Sequence, residues 1–164
     1  MNVYLNINDI KKKKSEITEI DLQDNIRYLY PKKNTIMEGE FTKILFSKEY
    51  VTMNGIYLHL PFVVDTRKIY ENNHIRFLVQ NNVQNNNVVS DLKMIEKTLL
   101  TNYSDYYKIK KQFEYTLSRQ LHSNQIRVYH DISNKSRRTR YVIKISGIWE
   151  TVDKIGLTFK ILEL

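Results

Sequence analysis

Hydrophobic and polar positions follow strand-like patterns through the middle of the chain. Residues 41–46 and 50–60 are rich in β-branched and aromatic side chains, and residues 73–79 alternate between apolar and polar side chains. Alternation with a period of two is typical of a half-buried β-strand. Asn54-Gly55 interrupts the second stretch and predicts either a two-residue hairpin turn or a bulge that bends one long strand. We therefore expect three strands before residue 80.

Helical spacing follows these strands. The tract 81–87 is polar and of low complexity, so we expect a loop there. Ser90-Asp91 is a suitable start for a helix, because apolar side chains then recur at intervals of three and four residues. These side chains are Leu92, Ile95, Leu99 and Tyr103. A second helix is expected from about residue 113 to residue 123.

The last third of the chain returns to strand patterns, at 125–130, 141–149 and 156–162, with a turn at 151–154. The order of three strands, a helical part and further strands matches the layout of the OB-fold. We therefore expect a mainly β fold with a helical insertion, as an OB-fold-like barrel of five to six strands with a helix between strands 3 and 4. An α+β sandwich built from the same elements is the alternative.

Residues 1–40 differ from the rest of the chain. Val3 to Ile7 has the pattern of a short strand, Lys11 to Lys14 is a block of like charges, and Pro31 ends any regular element. Blocks of like charge repel one another and favour an exposed segment. We expect residues 1–40 to be a basic N-terminal arm that is partly ordered against a folded domain of residues 41–164.

Charge and composition narrow the classes of function. The net charge of +8 and the pI of about 9.5 favour an acidic partner, because summed positive charge steers association with polyanions. The absence of cysteine excludes disulfides, thiol catalysis and cysteine-type zinc sites. No apolar run approaches the roughly 20 residues that span a bilayer, and the N-terminus lacks the apolar core of a signal peptide. We expect an intracellular protein with no membrane partner and no cofactor.

If each strand buries its apolar side chains, cations and tyrosines collect on the opposite face of the sheet. The expected core of the last strands includes Ile126, Val128, Tyr141, Ile143, Ile145, Trp149, Leu157, Phe159 and Ile161. Proteins that bind single strands need cations for the phosphates and aromatic rings on which bases stack. The opposite face and the basic loop before residue 141 supply both. The candidate nucleic-acid-binding residues are Tyr57, Arg76, Arg127, Tyr129, Lys135, Arg137, Arg138, Arg140, Lys144 and Lys160.

The basic loop from Lys135 to Arg140 lies between two strands of this face, where OB-folds often hold a bound strand. Guanidinium groups suit phosphate because they present a rigid fork of donors. The alternative interpretation is a solvated basic surface, which is ordinary on a half-exposed sheet.

Catalytic motifs are largely missing from the sequence. The chain has no P-loop, no Gly-x-Gly-x-x-Gly and no Gly-x-Ser-x-Gly. The four histidines show no metal-ligand spacing, and His130-Asp131 would point to opposite faces of a strand. Tyr106-Tyr107 is a conceivable nucleophile pair for DNA nicking, but no histidine metal motif accompanies it. A loose acidic set resembles a nuclease site, namely Glu38 and Glu40 with Lys43 and Asp65. We expect no catalytic residues and no metal site.

Several short segments resemble proteins of large DNA viruses of eukaryotes. The segment from Tyr141 to Glu150 and its continuation from Ile155 to Lys160 are similar to the end of small OB-fold-like, single-stranded DNA-binding or replication-associated proteins. Residues 54–57 and 117–129 extend the resemblance to about half of the chain. The resemblance implies a role in DNA maintenance and supplies no defined binding residues. The lack of alanine beside abundant Asn, Ile and Lys fits an AT-rich genome of this kind.

Three functional hypotheses follow. The first is a non-enzymatic single-stranded DNA-binding protein of a virus or virus-like element, acting in DNA replication and maintenance through residues 41–164, in the host nucleus or cytoplasm. DNA is favoured over RNA, and a homo-oligomer or a replication-protein partner is possible. The second is a protein-interaction or virion structural component, in which the strand at Ile148-Trp149 and the helices contact another subunit. The third is a metal-dependent nuclease.

Overall fold

A computed structural model describes residues 5–6, 22, 24–71, 74–79, 81–123, 125–130 and 140–163, and for 5–6, 64–71, 74–79, 125 and 130 it describes only the backbone. The protein is a mixed α/β fold, made mainly of strands with two helices. The strands are β1 (Leu5–Asn6), β2 (Ile26–Tyr28), β3 (Lys32–Lys33), β4 (Glu40–Lys48), β5 (Val51–Met53), β6 (Ile56–Leu60), β7 (Val64–Glu71), β8 (His74–Val79), β9 (Gln112–Glu114), β10 (Gln125–His130), β11 (Tyr141–Glu150) and β12 (Lys154–Glu163). The helices are α1 (Val83–Tyr107) and α2 (Thr116–His122).

The hairpin of β11 and β12 forms the centre of the sheet. These are the longest strands described, with 10 residues each. The amide of Thr151 donates to the carbonyl of Lys154 at 2.8 Å, which confirms the predicted turn. On one side β11 pairs antiparallel with β6 and then with β4, and on the other side β12 pairs parallel with β9 and then with β10.

The sheet is open. Its strand order is β1-β6-β11-β12-β10-β8-β7, and among the described strands β1 and β7 do not pair. The mainly β fold with a helical insertion is therefore confirmed, and the OB-fold-like barrel is wrong. Two pairings account for the difference. Strand β10 runs parallel to β12 instead of closing a barrel, and β7, which the alternation missed, adds an outer edge next to β8.

Asn54-Gly55 bends the chain between two strands that do not pair with each other. Strand β5 pairs with β4, whereas β6 pairs with β1 and β11. Gly55 has a φ of 107°, a conformation that favours glycine, and a Cβ there would lie 2.6 Å from the carbonyl oxygen of Ile145. The hairpin alternative is therefore wrong, and the bend moves the chain from a small side sheet to the main sheet.

Helix α1 begins earlier than its apolar pattern suggests. The side chain of Asn82 accepts from the amide of Asn85 at 2.8 Å and caps the helix, so Ser90-Asp91 is not the start. The predicted loop at 81–87 is accordingly wrong, because most of it forms the first turn of α1. The predicted apolar stripe is confirmed, since Leu92, Ile95, Leu99 and Tyr103 are all buried. The second helix is confirmed at Thr116–His122, while Phe113 belongs to β9.

Asn85 connects the first turn of α1 to the segment between β6 and β7. Its side chain is 1% exposed; it accepts from the amide of Val63 at 2.9 Å and donates to the carbonyl of Val63 at 2.7 Å. Replacing Asn85 with leucine removes both bonds and leaves the part-buried amide and carbonyl of Val63 without this partner. We expect a loss of about 2–4 kcal/mol in the free energy of unfolding, measured by urea denaturation. The exposed neighbour Asn86 is the control, and Asn86→Leu should change stability by less than about 0.5 kcal/mol. Equal effects of the two substitutions would contradict this role.

The core lies between the sheet and the two helices. It joins the apolar side of α1 to one face of the sheet through fully buried side chains such as Ile56, Leu58, Leu99, Ile143 and Ile145. Among the described helices, none combines the length and the apolar character that crossing a bilayer requires. The described parts of residues 1–40 contribute β1, which pairs with β6, and β2 and β3, which pair with β4.

Candidate nucleic-acid interface

The two faces of the central hairpin differ in chemistry. The face toward the helices is apolar and carries Ile143, Ile145 and Ile148 of β11 opposite Ile161, Phe159 and Leu157 of β12. The other face, which we call the second face, carries Val142, Lys144 and Trp149 of β11. The distribution follows from the period-two alternation of a strand, with one interruption.

The interruption is a β-bulge between Ile145 and Gly147. Because of one extra residue in β11, each later side chain lies on the face opposite to the one that simple alternation predicts. Ile148 is therefore in the core and Trp149 is on the second face. Trp149 lies opposite Gly156, and a Cβ on Gly156 would meet the indole at 2.3 Å. The prediction that Trp149 belongs to the core is therefore wrong, whereas Phe159 packs against the core as predicted. In the strand segment proposed to contact another subunit, Ile148 is 0% exposed and belongs to the core, whereas Trp149 is partly exposed on the second face.

Several of the predicted binding positions share the second face by strand register. Register places Lys144 of β11 between Tyr57 of β6 and Lys160 of β12. Strand β10 runs parallel to β12 with Val128 opposite Ile161, so Arg127 follows Lys160 in the same row. The position of Arg76 in β8 is opposite Arg127. We call this row, with the adjacent Tyr129, the cationic face; its members are Tyr57, Lys144, Lys160, Arg127, Arg76 and Tyr129.

Two lysines of the cationic face lie over tyrosine rings. The Lys144 Nζ is 5.3 Å from the centroid of the Tyr57 ring, and the Lys160 Nζ is 5.2 Å from the centroid of the Tyr129 ring. A cation within about 6 Å of a ring centroid is attracted by the electrons of the ring face. Lys160 and Arg127 are exposed, whereas Lys144 and both tyrosines are partly buried. The lysines are thus held at defined positions without a carboxylate partner in these contacts.

Basic residues occupy opposed register positions on adjacent strands of the cationic face. Lys144 is directly opposite Lys160, and Arg127 is directly opposite the Arg76 position. Like charges directly opposite on a sheet are destabilising. No carboxylate occupies the second-face positions paired in β6, β11, β12, β10 and β8. On this side, the first acidic position in the strand pairing is Glu71 of the edge strand β7, which is opposite His74 of β8. An anion placed along the row would relieve the repulsion.

The next row of the second face is less accessible. Register aligns His59, Val142, Leu162 and Tyr129. Val142 is 1% exposed although it does not belong to the main core cluster. Val142 therefore supports the sheet, whereas Tyr129, at the end of this row, is partly exposed and belongs to the cationic face.

The predicted basic loop lies mostly outside the described residues. Lys135, Arg137 and Arg138 are among the residues that the structure does not describe. Arg140 is exposed and immediately precedes β11, the strand that carries Lys144.

The tyrosine pair Tyr106-Tyr107 belongs to a packed aromatic cluster with Tyr28 and Tyr103. Ring centroids are 5.4 Å apart for Tyr28 and Tyr103, and 4.8 Å apart for Tyr103 and Tyr107. Burial raises the pKa of Tyr103 and of Tyr107 above the ordinary value. A raised pKa favours the protonated phenol, which is the less nucleophilic form. The cluster therefore packs α1 against β2.

The Tyr103 hydroxyl connects α1 to the central hairpin. It donates to Glu150 at 2.9 Å and lies 2.9 Å from the Thr42 hydroxyl, which must then be the donor in that contact. Lys111 completes the network with an ion pair to Glu150 at 2.7 Å. Glu150 and Lys111 are therefore structural partners on the helix side of the sheet.

Of the acidic residues considered for a nuclease, the structure describes the side chains of Glu38 and Glu40 but not that of Asp65. Glu38 and Glu40 are exposed, and Glu40 is opposite Glu150 and Lys33 in the strand pairing. Among the described side chains, no group of three His, Cys, Asp or Glu residues is arranged to hold a metal ion.

The chain matches no family model, no curated protein and no solved structure. Sequence reasoning missed a second cationic set on the helices, at Lys93, Lys97, Arg119 and His122. Its signal was the i, i+4 spacing of the two lysines, which places them on one side of a helix.

Proposed function

We propose that the protein is a non-enzymatic single-stranded nucleic-acid-binding protein, with DNA as the favoured ligand, and that it binds through the cationic face. The observation that carries the proposal is the row of opposed positive charges without a carboxylate among them. The resemblance of the C-terminal strands to replication-associated viral proteins supports a role in DNA replication and maintenance of a virus or virus-like element.

The row supplies the two kinds of contact that a single strand needs. Phosphates would lie between Lys144 and Lys160 and beside Arg127, where they neutralise opposed cations. Bases would stack on the rings of Tyr57 and Tyr129, and such stacking tolerates any base because every base has a π-face. Neighbouring strands are about 4.8 Å apart, so five strands give the row a length of about 19 Å, enough for a few nucleotides.

Replacing Lys144, Lys160 and Arg127 together with glutamine should weaken binding to oligo-dT by roughly tenfold or more at low salt. Each phosphate contact on a single strand contributes about 0.7 to the slope of log affinity against log salt, so the slope should fall by about 2. Fluorescence anisotropy of a labelled oligonucleotide over a range of NaCl concentrations measures both quantities. Tyr129→Leu should weaken binding and leave the slope nearly unchanged, because stacking releases no counterions.

The matched control carries the same change of net charge away from the cationic face. Lys33, Lys108 and Lys110 are exposed and lie outside the row, so replacing all three with glutamine should change the affinity little. Equal losses in the two triple variants would mean that net charge alone attracts the oligonucleotide. No measurable binding of the unchanged protein at low salt would refute the proposal.

Exposed apolar side chains favour the protein-interaction component as a second candidate. Tyr30, Ile36 and Val152 are 92%, 93% and 91% exposed. The loop that carries Ile36 ends at Gly39, whose Cβ position meets the carbonyl of Glu150, directly before the hairpin turn that contains Val152. Ile36→Ser with Val152→Ser should abolish any self-association seen by analytical ultracentrifugation and should leave oligonucleotide binding intact. A purely monomeric protein that binds oligo-dT would exclude self-association as the role of this end.

A further inference from the structure

A groove on the helix layer holds a second set of cations, separate from the cationic face. It lies between α1 and α2 and has a volume of about 510 Å³. Its lining residues are Lys93, Lys97, Tyr115, Ser118, Arg119 and His122. Ligand sites in proteins commonly have volumes of about 300–1,000 Å³. We refer to this feature as the α1–α2 groove.

A buried carboxylate fixes the geometry of the α1–α2 groove. Glu96 is 0% exposed and accepts from the amide of Leu117 at 2.9 Å and from the amide of Ser118 at 2.8 Å. The Ser118 hydroxyl adds a third bond at 2.6 Å. These bonds attach the first turn of α2 to the middle of α1. Because Lys93 and Lys97 lie on either side of Glu96 in α1, the attachment directs Arg119 and His122 of α2 toward them.

The cations of the groove are only partly neutralised. The Lys93 Nζ is 3.0 Å from the His122 Nε2, and since an ammonium group has only donors, the histidine nitrogen accepts. The charge of Lys93 thus meets a neutral acceptor instead of a carboxylate. Arg119 forms an ion pair with Glu114 at 2.5 Å, but its side chain is 67% exposed and Glu114 is shared with Lys154 at 3.3 Å. Among the described residues that line the groove, none is acidic.

We propose that the α1–α2 groove binds a phosphate group. Lys93 and Lys97 would supply point charges, and Arg119 would supply the planar fork of donors that matches phosphate oxygens. Tyr115, which is 38% exposed, would form a flat wall for a ring attached to the phosphate. The buried Glu96 anchor positions these groups before any ligand arrives, which lowers the ordering cost of binding. The inference rests on the groove alone and does not depend on the cationic face.

The phosphate has two conceivable sources, a small phosphorylated ligand and the backbone of a nucleic acid. Inorganic pyrophosphate and a 15-mer oligo-dT are the probes that separate them. In ¹⁵N-labelled protein, pyrophosphate should shift the amide signals of Ser118, Arg119 and His122, and these shifts should persist in the variant of Lys144, Lys160 and Arg127. Shifts confined to the sheet amides would overturn the proposal.

The affinity of a groove variant for pyrophosphate tests the same proposal quantitatively. Replacing Lys93, Lys97 and Arg119 with glutamine should lower pyrophosphate affinity at least about tenfold, because several charge-assisted hydrogen bonds are lost. Unchanged pyrophosphate affinity in this variant would overturn the proposal. An unchanged thermal unfolding midpoint would show that the fold is intact.

The two probes then assign the source. If the groove variant loses pyrophosphate and keeps oligo-dT, the ligand is a small phosphorylated molecule; if it loses both, nucleic acid also occupies the groove. The variant of Lys144, Lys160 and Arg127 should retain pyrophosphate binding. The two variants therefore distinguish a failure of the proposal for the cationic face from a failure of the proposal for the groove. The Lys33, Lys108 and Lys110 variant is again the control for net charge.

Discussion

Replacing Glu96 with alanine is expected to lower the free energy of unfolding by about 3–5 kcal/mol. The carboxylate accepts three hydrogen bonds at the start of α2, from the amides of Leu117 and Ser118 and from the Ser118 hydroxyl. Alanine leaves the buried amide of Leu117 and the part-buried amide of Ser118 without their partner and opens a cavity in the helix layer. Urea denaturation followed by circular dichroism measures the loss as a lower midpoint at an unchanged slope.

Ser118→Ala is the matched control, since it removes only the hydroxyl bond and leaves both amide bonds to Glu96. It should cost about 1 kcal/mol. A loss below about 1 kcal/mol for Glu96→Ala would contradict the anchoring role. Because the anchor also positions Arg119 and His122, Glu96→Ala should weaken pyrophosphate binding even at temperatures where the variant is folded.

The sequence contained a signal for Glu96 that the apolar pattern concealed. Leu92, Glu96 and Leu100 are four residues apart, so the carboxylate lies within the apolar stripe of α1. A charged residue in such a stripe is buried only where it finds partners, and here the partners are in a different helix. The spacing shows that a charged residue lies in the apolar stripe, but it does not show which element supplies the hydrogen-bond partners. Asn85, at the start of the same stripe, is a second example.

The cationic face was largely predictable because β6, β10 and β12 alternate without interruption. Parity alone placed Tyr57, Arg127, Tyr129 and Lys160 on one side, and Lys144 precedes the bulge in β11. Trp149 follows the bulge, and for this reason its predicted position was wrong. Glycine in a strand interior often marks a bulge or a close backbone approach, so Gly147 was the available signal.

The order of the strands was not predictable from alternation. A period of two shows which side chains share a face, but it carries no information about which strand lies beside another. The parallel pairing of β10 with β12 joins two strands that are separated in the chain by β11, with Val128 opposite Ile161. The open sheet follows from such long-range pairings, and an expectation based on element order alone favoured a barrel.

Gly147→Ala is expected to lower the free energy of unfolding by about 3 kcal/mol or more. A Cβ at this position would lie 2.3 Å from the carbonyl oxygen of Thr42 and 2.5 Å from the Phe41 ring. Thr42 belongs to β4, which pairs with β11 directly after the bulge, so the two backbones would have to separate. The φ of Gly147 is not in the left-handed region, and the cost is therefore steric. Thermal unfolding of the purified variant measures it.

Gly156→Ala provides the comparison that identifies the cause, because its Cβ would meet a side chain instead of a backbone. The nearest atoms are in the Trp149 indole, at 2.3 Å and 2.6 Å. Truncation of the indole removes this clash, so Trp149→Ala with Gly156→Ala should be more stable than the sum of the single changes by about 1–2 kcal/mol. Phe41→Ala should give Gly147→Ala no comparable relief, since the Thr42 carbonyl remains in place. Relief in both pairs would show that the aromatic rings, and not the backbone contact at the bulge, set the cost at Gly147.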